Sequence, residues 1–227
     1  MTPSKLGNPR PREQVSLYED TRFRVKTHRY LDVPDSLPAV DLWATIEGRT
    51  SRRGLGLIDE ERVGVLLWLT AKTRATRTDG DGFVWQHRPV ASAGGRHPID
   101  ILIVRDPKHP TVTLYDPGAH ALCDLEVASV DALQAVVEDV NEITMNSRGA
   151  ILLFAATFER TLSRYSDGES LIWRDSGALL TQCYLVAEGL NVGCCGIGVT
   201  GEPWVSSILG NPPGVGGVGG CVIGTIP

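Results

Sequence analysis

The stretch RDSGALLTQCYLVAEGLNVGCCGIG (residues 174–198) decides the fold. Ser176 to Leu190 is apolar nearly all round, which predicts a helix buried in a core or lying in an interface. Val192 to Gly201 follows as a glycine-rich strand or loop, and Glu202 to Leu209 reads as a short helix. Upstream, AILLFAATF (150–158) is almost continuously apolar, as suits a central strand covered on both sides. Ser129 is placed to cap a helix that carries Leu133, Val136, Val137 and Val140 on one face. IDILIVR (99–105) and Thr111 to Tyr115 read as strands of a hairpin, joined by the loop at 106–110.

Nearer the N-terminus, Asp59 is a good cap for a helix with Val63, Leu66, Leu67 and Thr70 at helical spacing, and Glu60 and Glu61 suit its positive end. Leu37 to Glu47 reads as another helix, closed by Gly48. Residues 78–82 (TDGDG) are turn chemistry, and Gly220 to Ile226 is strand-like. Residues 1–35 read as an irregular arm, and 36–227 as a single domain. The mixed order of helix and strand predicts an α+β architecture.

A chain of 227 residues can bury a core without disulfides. Its 42% hydrophobic and 22% charged residues are the ordinary globular mix. The net charge of −5 argues against nucleic acid as a partner. The locally basic start (Lys5, Arg10, Arg12, Arg22, Arg24, Lys26, Arg29) reads as a solvated arm or subunit contact. Cys123, Cys183, Cys194, Cys195 and Cys221 show no zinc-ligand spacing with each other or with a histidine, so a reduced cytoplasmic protein without metal is expected. The start of the chain has no signal-peptide apolar region, and prolines interrupt the uncharged stretch 203–227, so no membrane segment is expected.

Three segments could carry chemistry. Arg49-Thr50-Ser51-Arg52-Arg53 places guanidiniums and a hydroxyl where they can converge on one phosphate. Ala91-Ser92-Ala93-Gly94-Gly95-Arg96 is small enough for backbone to approach a flat ring or a phosphate. Cys194-Cys195-Gly196-Ile197-Gly198 can offer backbone N–H groups to the electron-accepting edge of a ring. A fourth, Gly214-x-Gly216-x-x-Gly219, matches the dinucleotide fingerprint by letter but lacks its strand, helix and downstream acid, and reads as a flexible loop.

In their order these segments resemble the nitroreductase superfamily. IEGRTSRR (46–53) is similar to its Arg-x-Ser-x-Arg signature, and EERVGVLLWLTAKT (60–73) to its next helix. ASAGGRHPIDILIV (91–104) and YDPGAHAL (115–122) resemble the SagB-type branch of azoline or thiazoline dehydrogenases, and residues 174–198 its core helix and flavin-facing loop. The resemblance implies a nitroreductase-like fold with a mixed, mainly antiparallel central sheet flanked by helices. It implies a homodimer with FMN at the interface and ping-pong hydride transfer. Arg49, Ser51 and Arg53 would hold the FMN phosphate and ring edge, with Ser92, Gly94, Cys195, Gly196 and Ile197 around the ring. A cyclodehydratase or a peptide substrate would be the partner.

Arg164-Tyr165 stands where that branch carries a Lys-Tyr pair assisting proton removal. Arginine stays protonated and cannot be a base, but it can orient a substrate, and Tyr165 can serve as acid or base if its pKa is shifted. Val90 replaces a usual proline. No basic residue follows Arg174, so Arg49 and Arg53 must supply the phosphate's countercharge, with Arg96 or Arg174 as candidate helpers. Three functions are open on this reading: an FMN-dependent dehydrogenase of a peptide-derived azoline or related C–N bond, an NAD(P)H-dependent nitro or quinone reductase, and a non-catalytic partner subunit that keeps the fold.

Overall fold

The computed structural model describes residues 7–15, 18–21, 23–80, 82–105 and 110–227. The chain forms β1 (Arg10–Pro11), β2 (Val25–Tyr30), α1 (Leu42–Gly48), α2 (Glu60–Thr70), β3 (Ala75–Thr78), β4 (Val84–His87), β5 (Ile99–Arg105), β6 (Thr111–Asp116), β7 (Ala121–Leu125), α3 (Val130–Ile143), β8 (Ala150–Thr157), α4 (Glu159–Leu162), β9 (Tyr165–Ser166), α5 (Glu169–Gly189), β10 (Gly193–Ile197), α6 (Trp204–Ile208) and β11 (Val215–Gly224). Seven strands make one sheet in the order β10-β11-β8-β5-β6-β7-β2, and each neighbouring pair is antiparallel.

All eight residues of β8 are buried. The alternation of strand side chains divides the core into two layers. Ile101, Ile103, Leu152 and Phe154 face α2 and α5, against Leu66, Leu67, Leu179 and Cys183. Leu102, Val104, Ile151 and Leu153 face α3 and α6, against Leu133, Val136, Val140 and Ile208. The caps lie where the sequence places them: Asp59 accepts from the Arg62 N–H at 2.7 Å and Ser129 from the Ala132 N–H at 3.2 Å.

Three expectations change. Residues 25–30, read as irregular, form edge strand β2 against β7. All six are exposed, so no burial pattern betrays them, and the charges among them suit an unprotected sheet edge. Helix α1 begins at Leu42 rather than Leu37, because the Asp41 side chain accepts the Ala44 N–H. Of the fingerprint-like glycines, Gly216 and Gly219 belong to β11 rather than to a flexible loop, and Gly214 lies in the turn before it. Gly217 pairs with Ala155 and Gly220 with Leu153, so β11 spends three steps where β8 spends two, a bulge. A Cβ on Gly220 would stand 2.3 Å from the Leu152 carbonyl oxygen, so close pairing to the central strand requires glycine there. Strands β3 and β4, on either side of the residues read as turn chemistry, pair as a hairpin outside the main sheet, and Asp81 between them lies outside the described residues. Residues 106–109 of the expected β5–β6 loop lie outside the described residues.

Candidate functional site

Helix α5 runs beneath the sheet and gathers the candidate residues at two places. Toward its C-terminal end, the Tyr184 hydroxyl accepts the Gly196 N–H at 2.6 Å and lies 2.8 Å from Ser51 Oγ. The Arg49 guanidinium sits 5.1 Å from the Tyr184 ring centroid, a cation–π contact. The Arg52 N–H donates to the Cys194 carbonyl at 2.9 Å, and its guanidinium pairs with Glu188 at 3.1 Å. The turn at 49–53 is thereby stapled to both β10 and α5. Arg53 lies near enough to Cys195 to lower its pKa, but burial outweighs it and pushes the thiol up. Cys195 and Ile197 point their side chains into buried surroundings, so their backbone alone can face a ligand.

The second gathering lies toward the N-terminal half of α5. Ser92 Oγ donates to Asp175 at 2.6 Å and accepts the His97 N–H at 2.8 Å. The Ala93 N–H donates to the same carboxylate at 3.1 Å. Burial pushes the Asp175 carboxyl up, while those two bonds pull it down. Ser92 thus pins the small-residue loop to α5. Gly94 has φ +61°, and a Cβ there would stand 2.5 Å from the Tyr165 hydroxyl. Gly94, Arg164 and Tyr165 share a cleft of about 230 Å³ with Arg77, Phe83, Trp85 and Arg96. Strand β1 pairs with β9 and holds the N-terminal arm against Tyr165. Arg96 donates to the Arg160 carbonyl at 2.7 Å and to Ser163 at 3.0 Å, and Arg174 bonds Ser170. Asp175 and Tyr184 are nine residues apart, so about 14 Å of helix separates the two gatherings in one protomer.

A family model, the Nitroreductase family, matches residues 56–225. The chain belongs to the nitroreductase family. It is therefore a flavin oxidoreductase by family. The matched segment takes in the Ser92, Tyr165 and Gly196 regions, and the 49–53 turn lies just before it. Among solved structures, this nitroreductase-family chain is similar to a putative nitroreductase from Ralstonia eutropha JMP134, with 18% identity, a TM-score of 0.64 and coverage of 97% of this chain and 99% of that one. It is similar to the E. coli microcin synthetase McbBCD complex with truncated pro-MccB17 bound, at 16% identity, TM-score 0.57 and coverage of 87% and 77%. It is also similar to the NADPH:FMN oxidoreductase of Vibrio harveyi complexed with NAD+, at 16% identity, TM-score 0.55 and coverage of 82% and 68%. At such identities the likeness is one of fold. No curated protein matches the chain in sequence. Among the described residues, no helix is long and apolar enough to cross a membrane.

The residues at 49–53 fit an FMN phosphate. Arg53 and Ser51 are exposed, and among the described residues no ion pair involves Arg49 or Arg53. Since Gly196 donates into the Tyr184 hydroxyl, that hydroxyl can donate to Ser51, leaving the Ser51 hydrogen for a ligand. Beyond β10, Gly198 is exposed, with no heavy atom within 4 Å of where a Cβ would stand. Sequence reasoning missed Tyr184. Its signal was a phenol on an otherwise apolar helix, which needs a partner for its hydroxyl when half-buried.

Beside the 91–96 loop, His97 is buried and its Nε2 lies 3.1 Å from the Gln86 carbonyl. Burial, reinforced by Arg88, lowers its pKa from 6.5 to about 4. The folded state therefore holds His97 neutral where the unfolded chain binds a proton. Its contribution is complete above pH 6.5 and is lost as the pH falls from there through about 4. The cost at the acid end is on the order of 3 kcal/mol. His97→Asn, which tolerates the positive φ of 45° at this position, should flatten the stability profile across that window in urea unfolding. An unchanged slope would mean that His97 is not what destabilises the fold in acid.

Proposed function

We propose that the chain is an FMN-dependent dehydrogenase that oxidises a peptide-derived azoline or a related C–N bond. The observation that carries the flavin site is the Tyr184 hydroxyl, which joins the doubly cationic 49–53 turn to the Gly196 backbone. Arg49, Arg53 and Ser51 would hold the phosphate, and the Cys195-Gly196-Ile197 backbone would lie toward the ring. When bound, FMN supplies a hydride acceptor. Tyr165 is the residue positioned to take or give a proton, and Arg164 beside it orients an anionic or carbonyl group of the substrate. Ser92 acts by pinning the loop that carries Gly94, so Gly94 can lie under the Tyr165 hydroxyl.

A homodimer would bring one protomer's 49–53 turn toward its partner's Gly94–Tyr165 cleft, because the two lie apart along α5. Exposed apolar residues support this pairing: Leu42, Trp43 and Ile46 of α1, and Trp173 of α5. Leu42 also lines a groove of about 410 Å³ together with Leu37, Val40, Leu185, Val186 and Leu190. The similarity to a microcin synthetase complex with truncated pro-MccB17 bound favours a peptide substrate, and the SagB-type resemblance would make a cyclodehydratase the partner.

A second reading, an NAD(P)H-dependent nitro or quinone reductase, draws on the likeness to the Vibrio harveyi oxidoreductase. The absorbance spectrum of purified protein tests the flavin, with FMN identified after heat release. Colourless protein that refuses added FMN would leave only the non-catalytic subunit. Steady-state assay with NADPH and a quinone then separates the two enzymes, since rapid turnover would sink the azoline reading.

A further inference from the structure

The linear spacing of histidines and cysteines predicts no metal ligands, but strand register brings three together. His28 of β2 stands opposite Cys123 of β7, and Asp116 at the end of β6 pairs with Ala121, two residues before Cys123. Residues opposite each other, or two apart on a strand, share a face of the sheet. All three side chains therefore meet on one face of three adjacent strands. His28 Nδ1 lies 3.4 Å from Cys123 Sγ, and the ligand atoms of all three residues lie within 4.8 Å of one another. Asp116 is already oriented: its Oδ1 accepts the Gly118 and Ala119 N–H groups at 2.8 and 3.0 Å, leaving the other oxygen.

We propose that His28, Asp116 and Cys123 form a zinc site, with a fourth position left to water, that clamps edge strand β2 onto the sheet. One nitrogen, one sulfur and one carboxylate oxygen suit zinc, whereas calcium and magnesium take oxygen alone. Bond lengths of about 2.0–2.3 Å place ligand atoms roughly 3.3–3.8 Å apart around a tetrahedral ion. The cluster must close by about 1 Å from its 4.8 Å spread, and His28 can supply that movement because it is exposed on an edge strand. The site shares no residue with either gathering on α5, so it stands or falls apart from the flavin reading. Its consequence is structural. Among the described residues, strand β2 pairs only with β7 and buries no residue, so a metal cross-link would add the hold that packing does not.

The test uses the full chain, titrated with Co2+ as a spectroscopic stand-in and with Zn2+ in competition. One Co2+ per chain should bind, with a thiolate-to-cobalt charge-transfer band that Zn2+ displaces. Cys123→Ser should remove the band. His28→Ala, on an exposed position where folding is not at risk, should weaken binding at least about 10-fold. Asp116→Asn, which keeps an acceptor for the turn, should weaken it in the same direction. Zinc should also slow hydrogen exchange of the β2 amides. A wild-type chain that binds neither ion overturns the proposal. So does a band that survives Cys123→Ser, which would assign the metal to another thiol, or an affinity unchanged by His28→Ala.

Discussion

Arg49→Ala and Arg53→Ala should each weaken FMN binding by one to two orders of magnitude, and the double variant should retain almost none through purification. A charge-assisted hydrogen bond contributes about 1.5–3 kcal/mol, and each 1.4 kcal/mol is about tenfold in affinity. Neither guanidinium has a carboxylate partner among the described residues, so removing one forfeits phosphate attraction without releasing a protein ion pair. Tyr184→Phe separates charge from alignment. It keeps the ring under Arg49 and removes only the hydroxyl that joins Ser51 to Gly196, so FMN affinity should fall by less than in either arginine variant. Fluorescence titration with FMN measures all four proteins. If the double variant binds as the wild type does, the phosphate sits elsewhere.

Phe154→Ala should destabilise the fold by about 3–5 kcal/mol, the usual cost of emptying a buried aromatic site. Phe154 is fully buried on β8, between the β5 and β11 neighbours of the sheet and beneath α5. Its strand partner Ile101 and its same-face neighbour Leu152, which is paired with Ile103 and Cys221, are held in the sheet, so the cavity has little freedom to collapse. For a chain of this length the change corresponds to roughly 6–20 °C in Tm. Thermal unfolding at fixed protein and FMN concentration measures it, since bound ligand and association both shift Tm. A loss below about 1 kcal/mol would mean that the layer between β8 and α5 repacks rather than holding a shape.

Local signals were read well where burial and capping agree. Helix α3 needed only Ser129 and four apolar residues on one face, and β8 only its apolar run. The three chemical segments could be singled out by composition alone, but which residues they meet was not legible, because Tyr184 and Asp175 reach them from α5. Strand β2 was not, since an exposed edge strand owes its shape to a partner almost a hundred residues away. The glycines of β11 carried a letter pattern with two meanings, and only pairing with β8 selects the bulge. Tyr184 escaped notice because its two hydroxyl partners come from segments 133 and 12 residues distant.

By itself the sequence determined the α+β class, the helix caps, the central strand, and which short segments hold charge or backbone fit for a phosphate and a ring. Those follow from side-chain chemistry and spacing within a dozen residues. Tertiary structure alone decided that the candidates divide between two places along α5, that a tyrosine binds one of them together, and that a histidine, an aspartate and a cysteine share a sheet face. Such facts depend on register and packing between distant strands, which no local spacing encodes.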